Sequence, residues 1–291
     1  MITTVVPAKI NWTLEVLGRR DDGYHRVRTV MQTVDVCDEV SVEIAEGLTI
    51  ARNTAYADDS GDLVARAAER MGGGAAISVT KRIPLASGLG GGSSGAAATL
   101  RALSQLRGES AAIGAAVRLA DVAAGIGSDV AFFLHGGTAL AEGRGERITP
   151  LPDVPAAWLV ILVPAIRLEE KTKRMYAALS PNDYTDGSRA DAFIAHVEAG
   201  WPLAEAPLYN AFERVAYETL EGLAFFREAL LEAGAQSVQV CGAGPSLYCV
   251  ASGEEEARAI RARVSRVRRG EKVYAVRNLG AAEATAVWAA A

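Results

Sequence analysis

The sequence predicts an α+β chain. Strand-like stretches dominate its beginning. Helical patterns and further strands then follow without regular βαβ alternation, and glycine-rich turns join strands to helices. With 291 residues the chain suits two domains, and 50% hydrophobic with 22% charged residues suits a folded chain with a sizeable core. The net charge of −5 speaks against nucleic-acid binding by bulk charge.

In order along the chain, Ile10–Val16, Thr29–Val36 and Glu39–Ile44 read as strands, from β-branched content and alternation. A polar turn, Gly18 to His25, separates the first two. Asp62–Met71 has helical spacing, with Leu63, Val64, Ala67, Ala68 and Met71 on one face. Ala76–Arg82 is a short strand. Helices are expected over Ser94–Leu106 and Ser110–Ala124, and Val130–Leu134 is an apolar run. Gly136–Ala141 and Gly143–Glu146 resemble strands joined by glycine turns. Pro150, Pro152 and Pro155 then mark a boundary, giving domains 1–152 and 153–291.

Beyond it, Trp158–Pro164 is a strand, 180–189 a loop, and helices lie near Ala190–Glu198, Asn210–Glu218 and Leu220–Ala233. Val238–Val240 and Leu247–Ala251 flank a second glycine turn. Glu254–Val267 is a charged helix and Lys272–Arg277 a closing strand. Residues 233–253 carry no charge, but Gln236, Gln239, Pro245 and the glycines make them strand–loop–strand rather than a membrane span. The N-terminus lacks a basic segment followed by an apolar run, so no signal peptide and a soluble cytoplasmic chain are expected. Cys37, Cys241 and Cys249 have no metal-ligand spacing and read as reduced thiols.

The chemistry concentrates in Pro84-Leu85-Ala86-Ser87-Gly88-Leu89-Gly90-Gly91-Gly92-Ser93-Ser94, between a strand and a helix. Its glycines let backbone N–H groups approach a ligand in one concavity, and the following helix adds its positive end. Ser93 and Ser94 bring hydroxyls that can cap the helix or meet phosphate or metal. Together these make an anion cradle suited to nucleotide phosphate. No lysine follows the glycines as a P-loop requires, and the G-x-G-x-x-G match of Gly90, Gly92 and Gly95 lacks βαβ context.

Lys9 lies at the mouth of the first strand beside Asn11; by itself it reads as a solvated lysine or a site cation. Asp129 reads equally as a helix cap or a functional carboxylate. Tyr24 and His25 form either a surface aromatic pair or a platform for a planar base, with a stacking face and a hydrogen-bond partner. His135 and His196 have no partner pattern and read as structural.

The loop Pro84–Ser94 resembles the P-x-x-x-G-L-G-G-G-S-S loop of the GHMP kinases. Pro7-Ala8-Lys9-Ile10-Asn11 resembles their N-terminal motif, and Val240-Cys241-Gly242-Ala243-Gly244-Pro245-Ser246 their C-terminal glycine motif. The three fall in the family's order and span nearly the whole chain. Leu17-Gly18-Arg19-Arg20-Asp21-Asp22-Gly23-Tyr24-His25 and Ile126-Gly127-Ser128-Asp129-Val130-Ala131-Phe132-Phe133 resemble a branch that phosphorylates a cytidylated small molecule for non-mevalonate isoprenoid synthesis.

The resemblance implies two domains, the first like the second domain of ribosomal protein S5 and the second ferredoxin-like, with the site in the cleft between them. It implies ATP and Mg2+ as cofactors. Asp129 becomes the general base or hydroxyl-orienting carboxylate. Lys9 becomes the cation that stabilises Asp129 and the transferring phosphoryl group, with Asn11 as polar supporter. Pro84–Ser94 becomes the nucleotide loop, and Tyr24 and His25 the cytosine site. Lys81, just before the loop, is in position to approach the nucleotide. Gly242, Gly244 and Ser246 brace the loop or close the substrate side. At Gly95 many members carry Asp or Asn, so the magnesium ligands are not legible; at Ala131 many carry proline, a change that loosens the segment slightly without touching the chemistry. The alternatives are another GHMP kinase, of homoserine or mevalonate type, or a nucleotide-binding protein without catalysis.

Overall fold

The computed structural model describes residues 1–53, 62–109, 114–267 and 271–289. Two long antiparallel strands, β1 (Ile2–Arg19) and β2 (His25–Ile44), form the spine of the first sheet. Residues Thr29–Val36 and Glu39–Ile44, expected as two strands, are one. The joining residue Asp38 is buried rather than turned to solvent. Its carboxylate accepts from the backbone N–H of Arg82 (2.6 Å) and Ile83 (2.7 Å) and pairs with Lys81. A polar residue satisfied in this way does not interrupt a strand.

β3 (Thr49–Arg52), α1 (Leu63–Arg70), β4 (Ala75–Thr80), α2 (Gly91–Leu106), α3 (Ala115–Ile126), α4 (Val130–His135), β5 (Thr138–Gly143) and β6 (Arg147–Pro150) complete the first half. Of the helix expected over Ser110–Ala124, residues 110–113 lie outside the described residues. The apolar run after Asp129 is helical. α2 is alanine-rich and buried from Ser94 to Leu100, because small side chains let it settle closely against the sheet and α1.

β7 (Trp158–Val163), α5 (Lys171–Ala177), α6 (Ser188–Glu198), β8 (Tyr209–Asn210), α7 (Glu213–Thr219), α8 (Leu223–Glu232), β9 (Gln239–Val240), β10 (Leu247–Ala251), α9 (Glu254–Val267) and β11 (Lys272–Arg277) follow. The second sheet runs β11-β7-β10-β9 with every neighbour antiparallel. Its β-α-β-β-α-β order is the ferredoxin-like arrangement. The expected helix over Asn210–Glu218 starts later, because Tyr209 and Asn210 pair in parallel with Thr13 and Leu14 of β1. α5 had no counterpart in the sequence reading, although Met175 and Leu179 stand one helical turn apart.

β8 returns to the first sheet, and after α10 (Ala281–Ala284) so does β12 (Val287–Ala289), beside β1. One apolar core is shared by both halves: Ala8, Ile10 and Trp12 of β1 meet Leu159 and Ile161 of β7, Phe193 of α6 and Tyr248 of β10. Among the described residues no helix is long and apolar enough to cross a membrane.

Candidate active site

Lys9 and Asn11 are two residues apart on β1 and so share a face of the sheet. Both are nearly buried, and the Lys9 ammonium donates to Asn11 Oδ1 at 2.9 Å. Asn11 is itself held: its Nδ2 donates to Thr29 Oγ1 at 2.8 Å, and its carbonyl accepts from the Tyr248 hydroxyl at 2.8 Å. Asp129 Oδ2 lies 3.5 Å from the Lys9 ammonium, and its side chain keeps 36% of its exposure. Asp129 occupies the position before α4 but makes no capping hydrogen bond. Its backbone is already helical, where a capping residue is usually extended. The carboxylate is therefore turned to Lys9, with one side left to the solvent.

The glycine loop closes around this pair. Lys9 N–H donates to Leu89 O at 2.9 Å, tying β1 to the loop. Gly90, at φ +75°, stands before α2, and a Cβ there would lie 2.9 Å from the Phe133 ring and 3.0 Å from Lys9 Cγ. No side chain caps α2. Ser93 and Ser94, which the sequence offered as caps, lie inside its first turn. The N–H groups of Gly91, Gly92 and Ser93 precede the first intrahelical bond, from Ser94 N–H to Gly90 O at 2.9 Å, and form the positive end of the helix. Pro84 to Gly88 and Gly90 to Ser93 line a cleft with Leu63 and Lys81. The Lys81 ammonium comes close to the start of α2, since a Cβ at Gly91 would lie 2.9 Å from it.

The third glycine segment faces the loop from the other half. Gly88, at φ +87°, packs so closely that a Cβ would lie 2.5 Å from Cys241 O and 2.8 Å from Gly244 O. Ser246 N–H donates to Ser87 O at 3.2 Å. A Cβ at Gly242 would lie 3.2 Å from the Lys9 ammonium, so this turn forms another wall of the lysine's site. Asn210 clamps the turn by donating to Val240 O (2.8 Å) and Gly242 O (2.9 Å). The three sequence motifs thus meet around Lys9.

Tyr24 and His25 diverge. Tyr24 is 55% exposed, and the Arg144 guanidinium sits 5.0 Å from its ring centroid. The His25 ring stacks on Tyr176 at 4.8 Å and meets Tyr184 edge-on at 6.1 Å. Burial, with the Arg19 charge, lowers the His25 pKa, so the imidazole is neutral at pH 7. Burial and then the negative charge of Asp129 raise the Tyr176 hydroxyl well above its ordinary value.

Tyr176, Arg144, Asn210 and Lys171 went unread in the sequence. Tyr176, Asn210 and Lys171 stand outside the glycine segments, Arg144 lies in the Gly143–Glu146 turn, and only Tyr176 adjoins a residue with a periodic signal, the buried Met175. Among the described residues no cluster of three His, Cys, Asp or Glu could hold a metal. A Cβ at Gly95 would lie 3.1 Å from Val64 Cγ2, so the α1–α2 contact fills that position. Cys37, Cys241 and Cys249 are free thiols, each pushed up to about 12, chiefly by burial. His196 makes a structural contact, its Nε2–H donating to Pro202 O at 2.9 Å.

Such an arrangement suits phosphoryl transfer: a backbone cradle for phosphate, a buried cation and a carboxylate at the cradle's edge. Comparison with known proteins agrees. The GHMP kinases N terminal domain matches residues 59–137, and the GHMP kinases C terminal domain residues 193–269. A 4-diphosphocytidyl-2-C-methyl-D-erythritol kinase of Dehalococcoides mccartyi is 39% identical, covering 96% of this chain and 99% of the relative. One from Geobacillus thermodenitrificans is 36% identical, covering 96% and 97%. A crystal structure of 4-(cytidine 5'-diphospho)-2C-methyl-D-erythritol kinase superposes with TM-score 0.78 at 30% identity, over 96% of this chain and 99% of that one. A homoserine kinase from Cytophaga hutchinsonii, at 22% identity and TM-score 0.69 over 96% of each chain, shares the fold. The chain belongs to the GHMP kinases, within their 4-diphosphocytidyl-2-C-methyl-D-erythritol kinase branch.

Proposed function

We propose that the chain transfers the γ-phosphoryl group of ATP to the 2-hydroxyl of 4-diphosphocytidyl-2-C-methyl-D-erythritol, in non-mevalonate isoprenoid precursor synthesis. The observation that carries this reading is the Lys9 ammonium between Asn11 Oδ1 and Asp129 Oδ2, walled by the phosphate loop and the Gly242 turn. The loop from Pro84 to Ser94 receives the phosphates through its N–H groups and the N-terminal end of α2. Asp129 orients the attacking hydroxyl and accepts its proton. Lys9 balances that carboxylate and the charge spreading over the transferring group, while Asn11 holds the ammonium in place.

Tyr24 and His25 take the cytosine. Tyr24 offers an exposed aromatic face, and His25 a neutral ring fixed by Tyr176. Mg2+, when bound, neutralises phosphate charge. The donors at hand, the Ser93 and Ser94 hydroxyls and Asp129, suit an ion that keeps several waters and binds mainly through phosphate oxygens. The division into residues 1–152 and 153–291 and a cytoplasmic location belong to the same proposal.

An ATP-consumption assay with the cytidylated substrate beside homoserine and mevalonate tests it. Turnover with the cytidylated alcohol alone is the expected result. Clear turnover of another alcohol without it would reject the assigned substrate.

A further inference from the structure

Lys171, the first residue of α5, stands outside the three motifs yet touches two of them. Its ammonium donates to Ala86 O at 2.8 Å and to Gly244 O. Ala86 belongs to the phosphate loop and Gly244 to the third glycine turn. Two carbonyl oxygens directed at one point repel each other, and a cation between them turns that repulsion into attraction. Ala86 also holds φ +54°, a left-handed conformation that a side chain other than glycine keeps only where its surroundings impose it. The strap has a firm base. Met175 of α5 is fully buried, and the Tyr176 ring is wedged between His25 at 4.8 Å and Phe212 at 4.9 Å.

We infer that Lys171 is a positioning residue: its ammonium ties the phosphate loop to the Cys241–Ser246 turn and so sets the direction of the N–H groups that receive nucleotide phosphate. The role rests on the loop's reading as the nucleotide site.

The test is calorimetric binding of ADP and of CDP to the full chain and to Lys171→Met and Lys171→Arg, with amide hydrogen exchange over residues 86–92. Lys171→Met keeps the stem and removes the charge. Its ADP affinity should fall about tenfold, the size of one charge-assisted hydrogen bond, with CDP affinity within about twofold. Loop amides should exchange faster while the interior of α2 keeps its protection. Lys171→Arg should lie nearer the unaltered chain, and it carries the comparison should Lys171→Met not fold. Unchanged ADP affinity and loop exchange would overturn the inference. So would ADP and CDP affinities falling together with the melting temperature, which marks general loosening. Failure of the unaltered chain to bind ADP would count against the function instead, and the exchange of the loop amides would still decide on the strap.

Discussion

Asp129 sits where a capping residue belongs and does not cap. Its carboxylate faces the Lys9 ammonium at 3.5 Å, while Lys9 is held at 2.9 Å by Asn11. A helix can lose a cap at a cost of about 1 kcal/mol, which tertiary packing of α4 easily offsets. A misplaced base costs far more in rate. Asp129→Asn is isosteric and removes the proposed proton acceptor, so kcat should fall at least about 10²-fold with the melting temperature nearly unchanged. Near-normal turnover would take Asp129 out of the chemistry. Tyr24 is the other residue tested singly. One face of its ring is covered by Arg144 at 5.0 Å, and the residue remains 55% exposed. Base–aromatic stacking is worth about 1–3 kcal/mol, so Tyr24→Ala should raise the KM of the cytidylated substrate about fivefold or more. The KM of ATP should change less; the reverse pattern would move this turn to the nucleotide side.

At the scale of elements, α2 and β2 show how the site is carried. α2 opens with Gly91-Gly92-Ser93, ahead of the expected start at Ser94, residues of poor helix propensity. Burial of Ala96, Ala97 and Leu100 against the sheet decides its existence, and the unbonded N–H groups are then left facing the cleft. β2 runs unbroken because Asp38 has buried partners. That carboxylate is 1% exposed and satisfies Lys81 and two backbone N–H groups at the entry to the glycine loop. Removing one partner of a buried pair leaves the other uncompensated. Asp38→Ala should therefore lower stability by about 3–5 kcal/mol, read as a shift of the denaturation midpoint. A loss below about 1 kcal/mol, the range of an exposed pair, would show that water replaces the carboxylate.

Across the whole molecule the two sheets are not independent. Trp12 of β1 stacks on Phe193 at 5.8 Å and meets Tyr248 edge-on at 6.1 Å, joining the halves through fully buried rings. β8 and β12 bring later parts of the chain back beside β1. With such a shared core the chain should unfold in one transition. Trp12→Ala should cost about 3–5 kcal/mol and lower that single transition as a whole. Two separated transitions in the unaltered chain would refute the shared core. The continuity also bears on the candidate site, since Lys9 and the glycine loop come from one half while Gly242, Lys171 and Tyr176 come from the other.

The α+β class, the strand character of the first segment and the glycine cluster were legible without coordinates, because β-branched alternation, helical spacing and glycine clustering are written along the chain. Lys9 and Asp129 stood out only through the family resemblance, since alone they read equally well as a solvated lysine and a helix cap. Tertiary structure alone decided that Asp38 lies inside one long strand, that α5 exists, and that Tyr24 and His25 point to different partners. It alone also brought Lys171 onto Ala86 and Gly244, 85 and 73 residues away along the chain. The reason is physical. A charged residue in a sequence looks solvated, and only the burial and hydrogen bonds of the folded chain show whether it is exposed to water or holds a site together.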